Sequence, residues 1–408
     1  MNETMPTVDP QIVDAFAAGL ADPAILSATS DPRNGPQSLA GGAVGIALLH
    51  IERAVSGHGP EAAAHHWLRA AAGQISAGAN ANLYHGVPAL AFVLHTASAL
   101  GGYARARRTL DDKTIAITRA RLDEAYARIH RGEPLPMHEF DLIHGLTGLG
   151  VYHLHRHPEH PITRDVLAYL IRLTYRLPGS TPPGRPPWWL ASGLAGTADP
   201  RYPHGHGNLG VAHGISAVIA LLSLAAIHTE GAPAVVDAIA ELCAWTDEHR
   251  HETGGESWWP GFVTDAAGTP LRHRPSWCYG TAGTARAQQL AGIALGDSVR
   301  RRRAETAMLA TLRDPTQLAR LPELGLCHGK AGLLQSAHRM ATSSSDPDRA
   351  TQLAARLPVL AAQLTAQLAS ITAGVHELLD GTAGALLALH TVRLGEPATS
   401  WDAFLLLT

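Results

Sequence analysis

One pattern recurs along the chain and limits its possible folds more than any other feature. A glycine, two residues, then glycine or alanine open a run of small and aliphatic side chains. The copies are GGAVGIALL (41–49), HGVPALAFV (85–93), HGLTGLGVY (144–152), HGISAVIAL (213–221), YGTAGTARA (279–287), HGKAGLLQS (328–336) and DGTAGALLA (380–388). Their leading glycines stand at 42, 86, 145, 214, 280, 329 and 381, with spacings from 44 residues (42 to 86) to 69 (145 to 214). That interval is too long for one helix and suits a helical hairpin with its loop. Stacked hairpins of this kind build a continuous core that no single unit could bury.

The segments between copies have a different texture. Residues 60–76, 111–130, 161–177, 233–250, 297–313 and 346–364 carry apolar residues at intervals of three and four, with charges opposite. They read as amphipathic helices with one buried face. The repeat segments are nearly uncharged and read as buried on all sides, with glycine allowing close backbone approach. Seven inner helices and six outer ones leave one unpartnered, and the amphipathic stretch at 9–26 supplies the seventh. The expectation is an all-α chain, an α/α toroid of seven inner and seven outer helices closing end to end, as one domain over residues 1–408. Two stretches rich in Pro, Gly and Trp, 178–208 and 252–276, interrupt the helical pattern. Loops of this length are usually functional or disordered. The tryptophans favour an ordered lid or wall, and a surface cover over the helix ends is the alternative.

Composition narrows the function. Hydrophobic residues make up 46% and charged residues 16%, which excludes general disorder. A formal net charge of −3 argues against a nucleic-acid binder that relies on phosphate contacts. Three cysteines are too few for a disulfide framework and suit a reducing compartment. The N-terminal residues have no secretory pattern, and no apolar run reaches bilayer length, so a cytoplasmic protein is expected. Histidine is the outlier, 24 residues against 32 Lys plus Arg, and directs attention to metal or proton chemistry.

In a closed ring, equivalent repeat positions face the same region. Two places before each glycine stand Ala40, Tyr84, Ile143, Ala212, Cys278, Cys327 and Leu379; one place before stand Gly41, His85, His144, His213, Tyr279, His328 and Asp380. Two of the three cysteines thus share a position in adjacent repeats, and His328 follows Cys327 directly. Two thiolates and an imidazole suit Zn²⁺, and three protein ligands leave a fourth position open, as in catalytic rather than structural sites. Cys243 lies on an outer helix without such company and reads as core. The histidines at the shared position, His85, His144 and His213 among them, sit where a helix begins. Each can be a capping or core histidine or a proton donor, and residue chemistry alone does not separate them. Asp141 and Arg274 lie four and six residues before their glycines. A carboxylate there could orient a histidine, and an arginine could stabilise an oxyanion; a helix cap or surface ion pair is the simpler reading of each. The runs RARR (105–108) and RRRR (300–303) read as solvated faces.

The motifs SWCYG (276–280), LCHG (326–329), NLGVAHGI (208–215) and LLDGTAG (378–384) resemble the signatures of lanthionine synthetase C-like proteins, the cyclases of lantibiotic biosynthesis. The resemblance spans all seven repeats. It implies an α,α-toroid with an axial zinc held by Cys278, Cys327 and His328. It also implies His213 as the acid/base, Asp141 as the acidic residue near it and Arg274 as the arginine before the WCYG motif. The implied reaction is conjugate addition of a peptide Cys thiolate to dehydroalanine or dehydrobutyrine, giving a lanthionine or methyllanthionine ring. The implied partners are a dehydrated precursor peptide, a dehydratase and an exporter. The implied location is cytoplasmic or peripheral to the membrane through such a complex. Ala89 and Ala217 depart from the family's usual glycine, and the bulk of residues 142–144 departs at the third repeat. A protein that adds glutathione to dehydroamino acids, and a peptide-binding toroid without turnover, remain as alternatives. A prenyltransferase-like barrel would need an aromatic-rich isoprenoid pocket, which 5% aromatic content disfavours.

Overall fold

Every leading glycine of the repeat becomes the residue that caps a helix N-terminus. The computed structural model describes residues 10–28, 35–73, 75–176, 184–194, 196–229, 232–265, 270–371 and 375–408. In chain order the helices are α1 (Pro10–Gly19), α2 (Ala43–Val55), α3 (Glu61–Ala71), α4 (Val87–Thr96), α5 (Ala104–His130), α6 (Met137–Phe140), α7 (Leu146–Arg156), α8 (Pro161–Arg172), α9 (Ile215–His228), α10 (Pro233–Glu248), α11 (Thr281–Ala294), α12 (Ser298–Arg313), α13 (Pro315–Ala319), α14 (Lys330–Thr342), α15 (Pro347–Ala354), α16 (Leu357–Ala369) and α17 (Thr382–Leu394). The repeat helices are α2, α4, α7, α9, α11, α14 and α17. Their caps are Gly42, Gly86, Gly145, Gly214, Gly280, Gly329 and Gly381.

Space, more than backbone conformation, requires these glycines. Only Gly86 has a positive φ, +76°; the others are extended, a conformation open to any residue. A Cβ on Gly280 would lie 2.1 Å from the Arg274 carbonyl oxygen, and one on Gly381 2.2 Å from that of Val375. At the second small position, a Cβ on Gly45, Gly283 or Gly384 would fall 2.1, 2.0 and 2.0 Å from the carbonyls of Leu39, Trp277 and Leu378. The first turn of each such helix therefore docks directly on the chain that leads into it.

Burial separates two kinds of helix. On α9 every residue from Ile215 to Ala225 is buried. On α10 burial falls on Val235, Ala238, Ile239, Leu242, Cys243 and Thr246, the single stripe of an amphipathic helix. Each large apolar side chain in that stripe contributes roughly 1.5–3 kcal/mol on burial.

Two compact units divide the chain, one of residues 1–114 and 311–403, the other of 115–310 and 404–408. In the first, α14 packs on α17, α17 on α2, and α2 on α4, so repeats six, seven, one and two are neighbours in that order. The first and last repeats thus meet, and α1 packs on α17 as a partner supplied by the expected N-terminal segment. In the second unit, α7 packs on α9 and α9 on α11, repeats three to five. Backbone hydrogen bonds join the turns that precede neighbouring repeat helices. Leu39 donates to Tyr84 (2.9 Å), Cys327 to Leu379 (2.9 Å), Leu379 to Ala40 (2.9 Å) and Val211 to Cys278 (2.8 Å). In all four the acceptor lies two places before the next repeat's glycine, so the shared phase seen in sequence is a physical contact.

The Trp-rich stretches are ordered where described; residues 177–183, 195 and 266–269 lie outside the described set. Strand β1 (Gly207–Asn208) pairs antiparallel with β4 (Phe262–Val263), tying the two stretches together; β2 (His251–Thr253) and β3 (Glu256–Trp258) form a hairpin. Gly254 and Gly255 turn that hairpin with φ of +61° and +82°. Trp188, Trp189, Trp258 and Trp259 are all buried.

Two expectations change. Segment 346–364 is two helices, because Pro358 cannot continue the ladder of α15 and instead sits in the first turn of α16. The RARR run lies in the first turns of α5 with Arg105 and Arg108 exposed, as a solvated helical face. Arg300 is buried and paired with Asp247 at 2.6 Å, so the RRRR run is not wholly a solvated face. Among the described residues no helix is long and apolar enough to cross a membrane.

Candidate functional site

In the second unit a buried carboxylate organises two histidines. Asp141 ends the single turn α6, whose Met137 and Phe140 are buried anchors. The turn into α7 is tight: a Cβ on Gly145 would lie 2.5 Å from the Asp141 nitrogen. The Asp141 side chain is fully buried, and both its oxygens are used. Oδ1 accepts the His144 backbone N–H at 2.7 Å and Oδ2 accepts His213 Nδ1–H at 2.6 Å. His144 Nδ1 approaches the same Oδ2 at 3.4 Å. Burial alone would raise the Asp141 pKa; the hydrogen bonds from His144 and His213 outweigh it and hold the group below the ordinary carboxylate range.

A carboxylate only accepts, so His213 Nδ1 carries the hydrogen and Nε2 is the ring nitrogen not held by Asp141. His213 is about one-fifth exposed, His144 about half. Asp141, His144 and His213 place their donor atoms within 4.8 Å of one another. The two rings, however, are stacked 5.7 Å apart at 18°. In-plane lone pairs of stacked rings do not converge, so this is a hydrogen-bonded cluster rather than a metal cage. Arg121 donates to the His144 carbonyl at 2.9 Å and fixes the turn from α5.

Tyr279 also stacks with His213, at 6.4 Å, and Asn208 Nδ2 donates to its hydroxyl at 3.3 Å. Burial pushes the Tyr279 phenol up, so it stays neutral. Phe262, from β4, stacks on Tyr279 at 5.0 Å. Asn208 and Phe262, one from each Trp-rich stretch, thus both contact Tyr279. Arg274 is half-buried in the turn before α11, where its carbonyl accepts the Ser276 N–H at 2.7 Å.

Cys278 is buried in the same turn, its Sγ 3.4 Å from Ser276 Oγ. In the first unit Cys327 and His328 occupy the equivalent turn before α14, both half-buried. His328 Nδ1 lies 3.4 Å from Asp380 Oδ1. His85, in that unit, pairs its backbone with Asn82, and burial lowers its pKa. Cys243 is core: burial raises its thiol to about 12. Asn208, Tyr279 and Asp380 were not given roles from sequence, although Tyr279 and Asp380 hold the shared position before their glycines and could have been flagged by it.

The class these features define is an all-α protein of helical-hairpin repeats, with glycine-capped buried helices carrying chemistry in the turns before them. A family profile described as "Lanthionine synthetase C-like protein" matches residues 34–406, and the chain belongs to that family. Among solved structures, the one titled "Nisin cyclase" aligns with a TM-score of 0.79 at 18% identity over 97% of both chains, which establishes the α/α-toroid fold. No curated protein sequence matches the chain.

Proposed function

We propose that this protein is a zinc-dependent lanthionine cyclase. It would catalyse intramolecular conjugate addition of a Cys thiolate to dehydroalanine or dehydrobutyrine in a dehydrated precursor peptide. The observation that carries this reading is the buried Asp141 carboxylate holding His213 Nδ1 at 2.6 Å in a chain of this family. That pairing prepares Nε2 as a proton donor, as carbon–sulfur bond formation next to a carbonyl requires.

The donor chemistry of Cys278, Cys327 and His328 fits zinc: two thiols and one imidazole, at one repeat phase, with a fourth position for substrate. Bound there, zinc would supply the peptide thiol as thiolate at neutral pH, where a free thiol of pKa ~8.5 is only a few per cent ionised. As sulfur bonds to the β-carbon, charge moves to the amide oxygen and the α-carbon takes a proton. His213 gives that proton from Nε2; Asp141 holds the ring and stabilises its charged form. General-acid assistance of this kind contributes about 10²–10⁴-fold. Arg274 would support the enolate oxygen. His144, on the same carboxylate, is the neighbouring histidine in the cluster. On this reading the protein acts in the cytoplasm beside a dehydratase and an exporter.

Zinc per chain, measured on protein purified without added metal, tests the proposal beside Cys278→Ala and Cys327→Ala. One zinc in the parent and none in either variant supports it. A folded parent that takes up no zinc refutes it and leaves a peptide-binding toroid. Competition between free glutathione and the peptide's own cysteine decides which thiol is used.

A further inference from the structure

We propose that Asp380 is the positioning residue for His328: its carboxylate accepts the Nδ1 hydrogen and so presents Nε2 as the metal donor. This rests on the zinc reading above and adds to it a residue that the ligand set does not include.

The two side chains meet because two turns are locked together by backbone. His328 Nδ1 lies 3.4 Å from Asp380 Oδ1. One residue earlier in each turn, Cys327 N–H donates to the Leu379 carbonyl at 2.9 Å, which sets the register of residue 328 against residue 380. Close approach is enforced at Gly325, where a Cβ would fall 2.5 Å from Asp380 Cα and 2.6 Å from the Leu379 oxygen. No side chain fits between these turns, so the backbone that carries Asp380 is held against the backbone that leads to His328.

The repeat makes the choice of residue informative. Asp380 stands one place before Gly381, where four other repeats carry histidine. The seventh repeat therefore puts a carboxylate, not another imidazole, beside the histidine of the sixth. It also stands just before the N-terminus of α17, where the helix dipole favours a negative group. In the second unit Asp141 takes His213 Nδ1–H at 2.6 Å, the kind of pairing proposed here for Asp380 and His328. A carboxylate on one ring nitrogen selects the tautomer, orients the ring and makes the other nitrogen a stronger donor; losing such a partner typically costs 10–100-fold in metal affinity. Asp380 is 43% exposed at the side chain, so truncating it removes little packed surface.

The test is zinc affinity of the full-length protein by chelator competition, with Asp380→Ala and Asp380→Asn, beside thermal melting of the metal-free forms. Asp380→Ala is expected to bind zinc about 10–100-fold more weakly. Asp380→Asn, which keeps a neutral acceptor, should lose less, and metal-free melting should not move. Long-range proton–nitrogen correlation of His328 in the zinc-loaded parent should show hydrogen on Nδ1. Zinc affinity within twofold of the parent in Asp380→Ala, or ligation through Nδ1, overturns this inference while leaving the zinc site standing. A parent that binds no zinc overturns both.

Discussion

Replacing Asp141 by asparagine probes the centre of the proposed chemistry with almost no change of shape. The carboxylate serves two donors with two oxygens, the His144 N–H at 2.7 Å and His213 Nδ1–H at 2.6 Å. An amide has one acceptor oxygen, so one donor must face an NH₂ group. If the oxygen stays on the backbone N–H, His213 must turn its Nδ1 into an acceptor and move its hydrogen to Nε2. The ring also loses the buried carboxylate charge beside it. Loss of one hydrogen bond to a charged group is worth about 1.5–3 kcal/mol of stability. Ring formation, read by mass spectrometry on a dehydrated peptide, should slow by about 10²–10⁴-fold. The sign with pH follows from the lowered Asp141 pKa. Its contribution is complete above the unfolded value of ~3.9 and is lost as pH falls through the folded value, so the gap in urea stability between parent and variant should narrow below pH ~4. A variant that cyclises at the parental rate, or a stability gap equal at pH 7 and pH 3, would refute the reasoning.

Further outcomes follow from other parts of the fold. Gly283→Ala places a methyl 2.0 Å from the Trp277 oxygen and 2.7 Å from Val211 Cγ2; it should destabilise by about 1–3 kcal/mol or more, and a melting temperature unchanged from the parent would count against the docking described for the repeat turn. Arg339→Met leaves the fully buried Asp402, now paired by Arg339 at 2.7 Å, with Gln335 alone; a loss of about 3–5 kcal/mol in urea unfolding is expected, and an unchanged midpoint is the contrary result. His50, His153, His206 and His390 are held neutral, their pKa values lowered by burial to about 4, 3, 4 and 3. Because the unfolded chain protonates them near pH ~6.5, stability should fall as pH drops below that value, at up to about 5 kcal/mol per pH unit for four groups. Equal urea midpoints at pH 7.5 and 5.5 would contradict it.

Repeat phase is a local property of the chain, and what depends on it could be read from sequence. Each Gly-x-x-Gly/Ala became a capped, buried helix, and the segments between became half-buried ones. Within each unit, positions before adjacent glycines became neighbours through bonds such as Leu379 N–H to the Ala40 carbonyl. Equivalent positions in stacked repeats meet for the same reason that the repeats stack. Tertiary structure decided the pairings that phase leaves degenerate. Four histidines share one position in the repeat, and only the turn at Asp141, 72 residues from His213, selects His213 and His144. The place of Arg300 against Asp247, 53 residues away, was equally hidden, because a basic run has the same composition whether solvated or paired. Side-chain partners are set by which turns are brought within ångströms of one another. Here that was decided by glycines, at 145 and 325, whose missing Cβ atoms allow one backbone to lie on the next.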